Sequence, residues 1–549
     1  MSGYSQRWIS GLSTLAIFMS IGACTKNESP APLMDSARIV DDLGQATALV
    51  CPGSEGCMRA TGELYAGAAA VAITPPIETW DDTNGNGRCD GDEPFEDLNG
   101  NGEWDPVWVA GFSAGRAATG VHDDIWARVI TVEQGDVSYA IVSYDLVGFF
   151  HPDVVELRIQ AAAAGLDFDH IMVSSTHQHE GPDTMGLWGA TNFETGYDSE
   201  YIQFILGQTI TALREAKESQ KTATMKVART EASEYIADTR QPIVIEQSLY
   251  GINFIGADNQ VIATLVNWGN HPEALGSRNT LITSDFPHYT RERLEAHYPG
   301  STAVYVSGNM GGLMTTIGLN ICPDAEGNDT CKQGTYERAQ VVGEGVANKL
   351  IAALDGTEAK TYLEPSIGFR RQPFFVKTTN PKFALALIVG LLTRRVYDSE
   401  TDEKIEGLDL QQLGYDDILD GDIKLDTEVN VLNIGPVDLL TVPGELYPEL
   451  WLEQENGVSL AQRPEGGDFP DAPTEVSLIS TLRHDAYKLV VNQGNDSIGY
   501  IIPKAQYDVV RPRAYEEDGQ YGEDNSVGED AAPWVLDGVY KMFELGLDP

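Results

Sequence analysis

Two stretches of the chain combine residue types that together hold metal ions. Thr176-His177-Gln178-His179-Glu180-Gly181-Pro182 follows directly on the apolar run His170 to Ser174. Residues i and i+2 of a strand share a face, so a His-x-His at a strand end can aim both imidazoles at one mouth. Asn270-His271-Pro272 follows the apolar run Val261 to Trp268 in the same manner. Imidazole is the commonest zinc ligand in such settings, and three protein ligands plus an open position suit hydrolysis. Residue types alone leave open a set of structural imidazoles; the joint arrangement at two strand ends favours a metal. His122, His151, His170, His288, His297 and His484 sit in no such constellation and read as structural or surface.

A second metal chemistry is written in Asp82 to Glu93, DTNGNGRCDGDE. It matches a twelve-residue calcium loop: Asp82, Asn84 and Asn86 at positions 1, 3 and 5, Gly87 at 6, Asp90 at 9, Glu93 at 12. Alternate oxygens of a tight loop converge on one point, and the glycine permits the sharp turn. A phased copy follows with Asp97, Asn99, Asn101, Gly102 and Asp105. Trp108 stands at its last position, so Glu93, Glu96 or Asp92 is expected to complete it. The flanks do not read as paired helices, which fits a structural clip and not a sensor.

Composition narrows the partners. The 549 residues carry a formal net charge of −47, which repels phosphate and excludes nucleic acid as a partner. A salt-adapted surface, bound calcium and attraction to cationic groups each account for such a charge. Arg7, the apolar run Gly11 to Gly22 and Ile21-Gly22-Ala23-Cys24 read as a bacterial lipoprotein signal over residues 1–24, lipidated at Cys24. An ordinary signal peptide cut near Ala23 is the alternative. Thr25 after the cysteine points to the outer membrane or cell surface. Residues 25–60, with Pro30, Pro32 and Pro52, read as a linker. Cys51 with Cys57 and Cys322 with Cys331 are spaced to close small loops, leaving Cys89 over.

The elements that must position these residues read as α/β. Strands are expected at 138–147, 170–174, 261–268 and 302–306, and helices at 154–164 and 290–297. The alternation predicts a mixed or parallel sheet flanked by helices, with ligands beyond the carboxyl ends of strands. Residues 61–549 are taken as one catalytic unit, 76–110 as a calcium-binding insertion and 378–428 as an apolar then acidic insertion. Phe383 to Leu392 is apolar nearly all round and reads as a buried helix, or as a greasy lip guiding a lipid substrate.

Four blocks in order resemble the neutral, non-lysosomal ceramidases. THQHEGP resembles their THTHSGP, and NWGNHPEALGSRNTLITSDF their second histidine segment. Val442-Pro443-Gly444-Glu445 is similar to their PGE segment, and GYIIPKAQY (499–507) to the tyrosine segment after it. The resemblance implies a ceramidase-like catalytic fold with zinc held by His177, His271, Glu445 and Tyr500. It further implies that His179 and Arg240, in Asp238-Thr239-Arg240-Gln241-Pro242, line the reaction centre. Their roles would be to hold the developing oxyanion and protonate the leaving amine. One departure stands out: aligned on Gly308-Asn309, the serine of the family's GDVSPN stretch falls on Gly311.

The expected activity is therefore a zinc-dependent amidohydrolase that cleaves an N-acyl amide in a lipid-like substrate by a metal-activated water, at a membrane surface reached through its lipid anchor. A hydrolase of the same fold acting on a non-ceramide ester or amide is the alternative. A non-catalytic, calcium-stabilised surface lipoprotein is another.

Overall fold

A computed structural model of the chain describes residues 38–85, 89–91, 93–405, 423–515 and 519–544. The signal segment, Cys24 and calcium-loop residues Asn86 and Asp92 lie outside them. Two sheets dominate. The larger has nine strands, in the order Thr302–Ser307, Val261–Trp268, Ser248–Gly256, Lys221–Glu231, Tyr65–Ala72, Trp126–Gln134, Val137–Tyr144 and His170–Ser175, with Lys360–Tyr362 pairing on Lys221–Glu231. Only its two ends are parallel: 261–268 with 302–307, and 137–144 with 170–175. The sheet is thus mixed, as the sequence predicts.

This sheet is nearly two sheets. Tyr65–Ala72 joins Lys221–Glu231 through only two residue pairs, Tyr65 with Thr222 and Ala66 with Lys221. The chain folds over at that weak joint, and the far ends of the halves meet again. Ser307 Oγ donates to Thr176 O at 2.7 Å, and Arg128 Nη1 to Ala303 O at 3.0 Å. Strand ends at opposite edges of the ladder thereby become neighbours.

The second sheet has six strands: Leu49–Cys51, Ile367–Lys377, Ile423–Ile434, Val437–Thr441 and Tyr487–Val491, with Val396–Asp398 on Ile423–Ile434. A shared core of Ile130, Tyr139, Ile141, Phe369, Leu432 and Leu439 lies between the two sheets. Tyr139 Oη donates across it to Asn433 O at 2.9 Å. Helices cover the outer faces: His151–Ala163 and Ser199–Glu218 on one half of the large sheet, Phe286–His297 and Tyr336–Asp355 on the other, Ala531–Glu544 on the small sheet. No helix among the described residues is long and apolar enough to cross a membrane.

Local chemistry explains the element bounds. Val137–Tyr144 is buried at every position and mostly apolar, and its two serines are satisfied inside the fold, Ser138 Oγ donating to Asp167 O and Ser143 Oγ to Tyr305 O. Ser199–Glu218 starts where the Asp198 carboxylate accepts from Glu200 N and Tyr201 N. Phe286–His297 starts four residues before the predicted position, because Asp285 caps it and Pro287 sits in its first turn.

Two predicted segments are corrected. The described part of the linker, from Arg38, is packed into the fold. Leu49–Cys51 pairs with Phe369–Arg371, Arg371 donates to Thr47 O and Arg38 O, and Cys51 and Cys57 are buried. Nor is 378–428 wholly an insertion: Ile423–Glu428 begins the longest strand of the small sheet. Its acidic residues are buried because cations meet them. Arg158 grips Glu428 with both guanidinium arms, at 2.6 and 2.9 Å. The expected disulfides Cys51–Cys57 and Cys322–Cys331 are both present.

Candidate metal centre

Strand ends from both sheets meet at one mouth. His177 lies just past His170–Ser175, and His271 just past Val261–Trp268. Glu445 and Leu446 follow Val437–Thr441 and pair in parallel with Tyr500 and Ile501, so Glu445 stands directly beside Tyr500. His177 holds a left-handed backbone, φ 63°, which a non-glycine residue adopts at a cost. It is held there by His177 N donating to Leu146 O at 3.0 Å and by its ring Nδ1 on Val147 O.

Both imidazoles spend Nδ1 on the backbone, His177 on Val147 O and His271 on Met314 O at 2.8 Å. That fixes the tautomer and leaves each Nε2 lone pair free. Both point at one carboxylate: His177 Nε2 lies 3.4 Å from Glu445 Oε1, and His271 Nε2 2.9 Å from Oε2. The Tyr500 hydroxyl is 3.5 Å from His271 Nε2. The ligating atoms of His177, His271 and Glu445 all lie within 4.8 Å of one another. The four residues expected to act together do converge.

The electrostatics show what the cluster lacks. Burial lowers the His271 imidazole, but its bond to Glu445 and the charges of Glu445 and Glu273 outweigh that and push it up to about 9. Burial holds His177 below the ordinary imidazole range, against the pull of Glu445. Burial and the Glu445 charge raise the Tyr500 phenol well above its ordinary range. Facing acceptors at these distances call for positive charge between them, from a proton on His271 or from a divalent ion. Two imidazole Nε2 atoms, a carboxylate and a phenol oxygen fit such an ion.

His179 is beside the cluster but outside it. Its ring centroid lies 5.0 Å from that of His177 and 5.9 Å from that of His271. Burial and the neighbouring histidines hold it well below the ordinary imidazole range. Arg240 stands one layer further back. Its guanidinium pairs with Glu523 at 2.7 Å, donates to Gln506 O and Gln241 O, and sits 4.7 Å over the Tyr447 ring. Tyr447 in turn packs edge-on against Tyr500. Arg240 therefore braces the tyrosine layer and does not line the cavity.

That cavity, of about 550 Å³, has His177, His179, Glu445 and Tyr500 in its wall. Apolar side chains make much of the rest, including Phe112, Met185, Trp188, Phe383 and Leu392. The segment expected as a buried helix or a greasy lip is a partly buried helix with one face on the cavity. In the helix Pro381–Ile388, Ala384, Leu387 and Ile388 are buried, Phe383 and Ala386 face the cavity, and Leu385 is exposed.

Gly311 packs where no side chain fits. A Cβ there would lie 2.5 Å from the backbone of Leu446 and 2.6 Å from Glu445 O. Gly311 N also donates to Leu446 O at 2.9 Å. The glycine thus buttresses the Glu445 segment. Thr315 and Thr316 are buried nearby.

No described residue of the acidic loops lines this cavity. In the first, Glu93 accepts from the backbone of Thr83, Asn84 and Asp90, while Asn84 Nδ2 donates to Asp90 at 2.6 Å. In the second, Asp97 accepts from Gly100 and Gly102, while Asn99 and Asn101 both donate to Asp105 Oδ2 at 2.7 Å. Of the carboxylates expected to complete this loop, Asp92 lies outside the described residues. Glu78, from before both copies, accepts from Leu98 N and Asp105 N, whereas Glu96 bonds Thr79 and Glu93 serves the first loop.

No protein-family model matches the sequence, and no curated protein matches it. Solved structures do. A neutral ceramidase from Pseudomonas aeruginosa superposes with a TM-score of 0.59 at 14% identity, over 88% of this chain and 75% of that one. A ceramidase complexed with C2 gives 0.58 at 13%, over 89% and 77%. The chain has the α/β fold of the neutral ceramidases.

Proposed function

We propose that the chain is a metal-dependent hydrolase of N-acyl amides of the ceramide type, with zinc at His177, His271, Glu445 and Tyr500. One observation carries this: two imidazoles with Nδ1 tied to backbone carbonyls turn both Nε2 atoms onto a single buried carboxylate. When bound there, zinc would polarise the substrate carbonyl and lower the pKa of a bound water. The protein supplies the rest. The apolar wall takes an acyl chain and excludes water. His179, neutral in its buried setting, is placed to move a proton between the attacking water and the leaving amine. Arg240 holds the tyrosines in place from behind.

Gly311 favours a second substrate class, since no hydroxyl can stand at the position of the family's serine. An ester or a smaller amide then replaces ceramide on the same machinery. The deciding experiment measures zinc content after zinc-replete purification, and turnover of fluorescent ceramide, short acyl amides and esters before and after chelation. A chain that binds no zinc sinks both forms of this proposal. Turnover that survives chelation sinks the metal dependence.

Two further elements belong to the proposal. The loops at Asp82, Asn84, Asn86, Asp90, Glu93 and at Asp97, Asn99, Asn101, Asp105 hold calcium as a structural clip, with Glu78 completing the second. Calorimetric titration of the whole chain tests this, and silence at millimolar calcium refutes it. The chain is exported and anchored through lipidated Cys24, which the disulfides suit. Loss of membrane association in Cys24→Ala checks that.

A further inference from the structure

Glu273, two residues after His271, is a buried carboxylate beside His179 that the proposed mechanism leaves idle. Among the described residues no lysine or arginine pairs with it; its ion-pair partner is an imidazole. Burying a carboxylate without a cation is costly, so a role is expected for it. Its Oε2 lies 3.6 Å from Nδ1 of His179, and that nitrogen is buried with no hydrogen-bond partner. Burial pushes the pKa of this carboxylate up, and the Thr315 side chain acts on it to pull it down. Thr315 is itself fixed, by its ladder with Ala237 and by its bridge to His271.

The imidazole is confined as well. Gly111, with φ 102°, packs so tightly against it that an added Cβ would lie 2.4 Å from His179 Cβ. Phe112 meets the ring edge-on at 4.9 Å, and Arg116 grips His179 O at 2.7 Å. What remains open to His179 is which nitrogen carries its proton. We infer that Glu273 is a positioning residue: it accepts the Nδ1–H of His179, fixes that tautomer, and leaves Nε2 as the nitrogen presented to the cavity. The separation of 3.6 Å exceeds a hydrogen bond, and such contacts tighten when the reacting complex forms. The logic is that of a base oriented by a third group. His179 Nε2 would accept the proton of the attacking water and return it to the leaving amine, while Glu273 holds the Nδ1 side of the ring in place. This last step rests on the hydrolase proposal; the tautomer assignment does not.

Long-range nitrogen–proton spectra of the full metal-free chain, labelled at histidine and assigned with His179→Ala, read the tautomer directly. The expected result is a proton on Nδ1 of His179 in the native chain and its transfer to Nε2, wholly or in part, in Glu273→Ala. A native ring protonated on Nε2, or one unmoved by Glu273→Ala, overturns the inference. In the zinc-loaded chain, Glu273→Ala should lower kcat by about ten- to a hundredfold with KM and zinc content unchanged, and Glu273→Gln, whose amide can donate to Nδ1 and hold the opposite tautomer, should not restore it. Adding Glu273→Ala to His179→Ala should cost nothing more; a further loss of the same size would show that Glu273 acts independently. If the native chain turns over no amide or ester, the hydrolase proposal fails, and the tautomer measurement still decides the role of Glu273.

Discussion

His177 and His271 matter less as histidines than as histidines whose Nδ1 is already spoken for. His271→Ala should therefore abolish zinc retention and turnover together, by elemental analysis and assay, whereas Tyr500→Phe should keep zinc and weaken it. Gly311 works by having no side chain. Gly311→Ser should not create a better enzyme; it should cost about 1–3 kcal/mol in urea unfolding, because the added atoms meet the Glu445–Leu446 backbone. The histidine pair was legible from residue type and strand position. Glu445 and Tyr500 were legible only through order-preserving resemblance, since a lone Glu after Pro-Gly carries no chemical signature. Glu273 and Glu78 were illegible, because each acts on a residue that only folding brings near. The one available hint was the cost of placing Glu273 between a ligand histidine and a buried apolar run.

At the scale of elements, apolar runs revealed four of the nine strands of the large sheet and none of the small one. The strand Ile423–Ile434 hides behind Asp426 and Glu428, whose burial depends on arginines far off in the chain. Burial raises the Glu428 carboxyl, yet the Arg158 charge and paired bonds outweigh it and hold the group below the ordinary range. Arg158→Met leaves that charge buried without its bidentate partner and should cost about 3–5 kcal/mol in denaturant unfolding. The helix Pro381–Ile388 makes a different prediction. Ala386→Trp projects bulk into the cavity and should raise KM more for long acyl chains than for short ones, in an assay across chain lengths. A KM equally unaffected at every length would mean the acyl chain lies elsewhere.

For the whole molecule, the charge of −47 sets the conditions of stability. Self-repulsion of this size destabilises the compact state and is screened by salt. The melting midpoint of the chelated chain should rise between low salt and 1 M sodium chloride, where the Debye length is about 3 Å. A midpoint that is flat with salt but rises with calcium would place the electrostatic relief in the acidic loops alone.

The four donors do not belong to one sheet: His177 and His271 lie just past strands of the large sheet, while Glu445 and Tyr500 pair in a separate two-stranded ladder reached from the strands Val437–Thr441 and Tyr487–Val491 of the small one. An ion held among them would act as a rivet through the seam between two plates. Loading zinc should slow amide deuterium exchange on both sides of that seam at once, around 441–446 and 498–502 as well as 174–179 and 268–273. The far rim at 49–51 should exchange at the same rate with the rivet in or out.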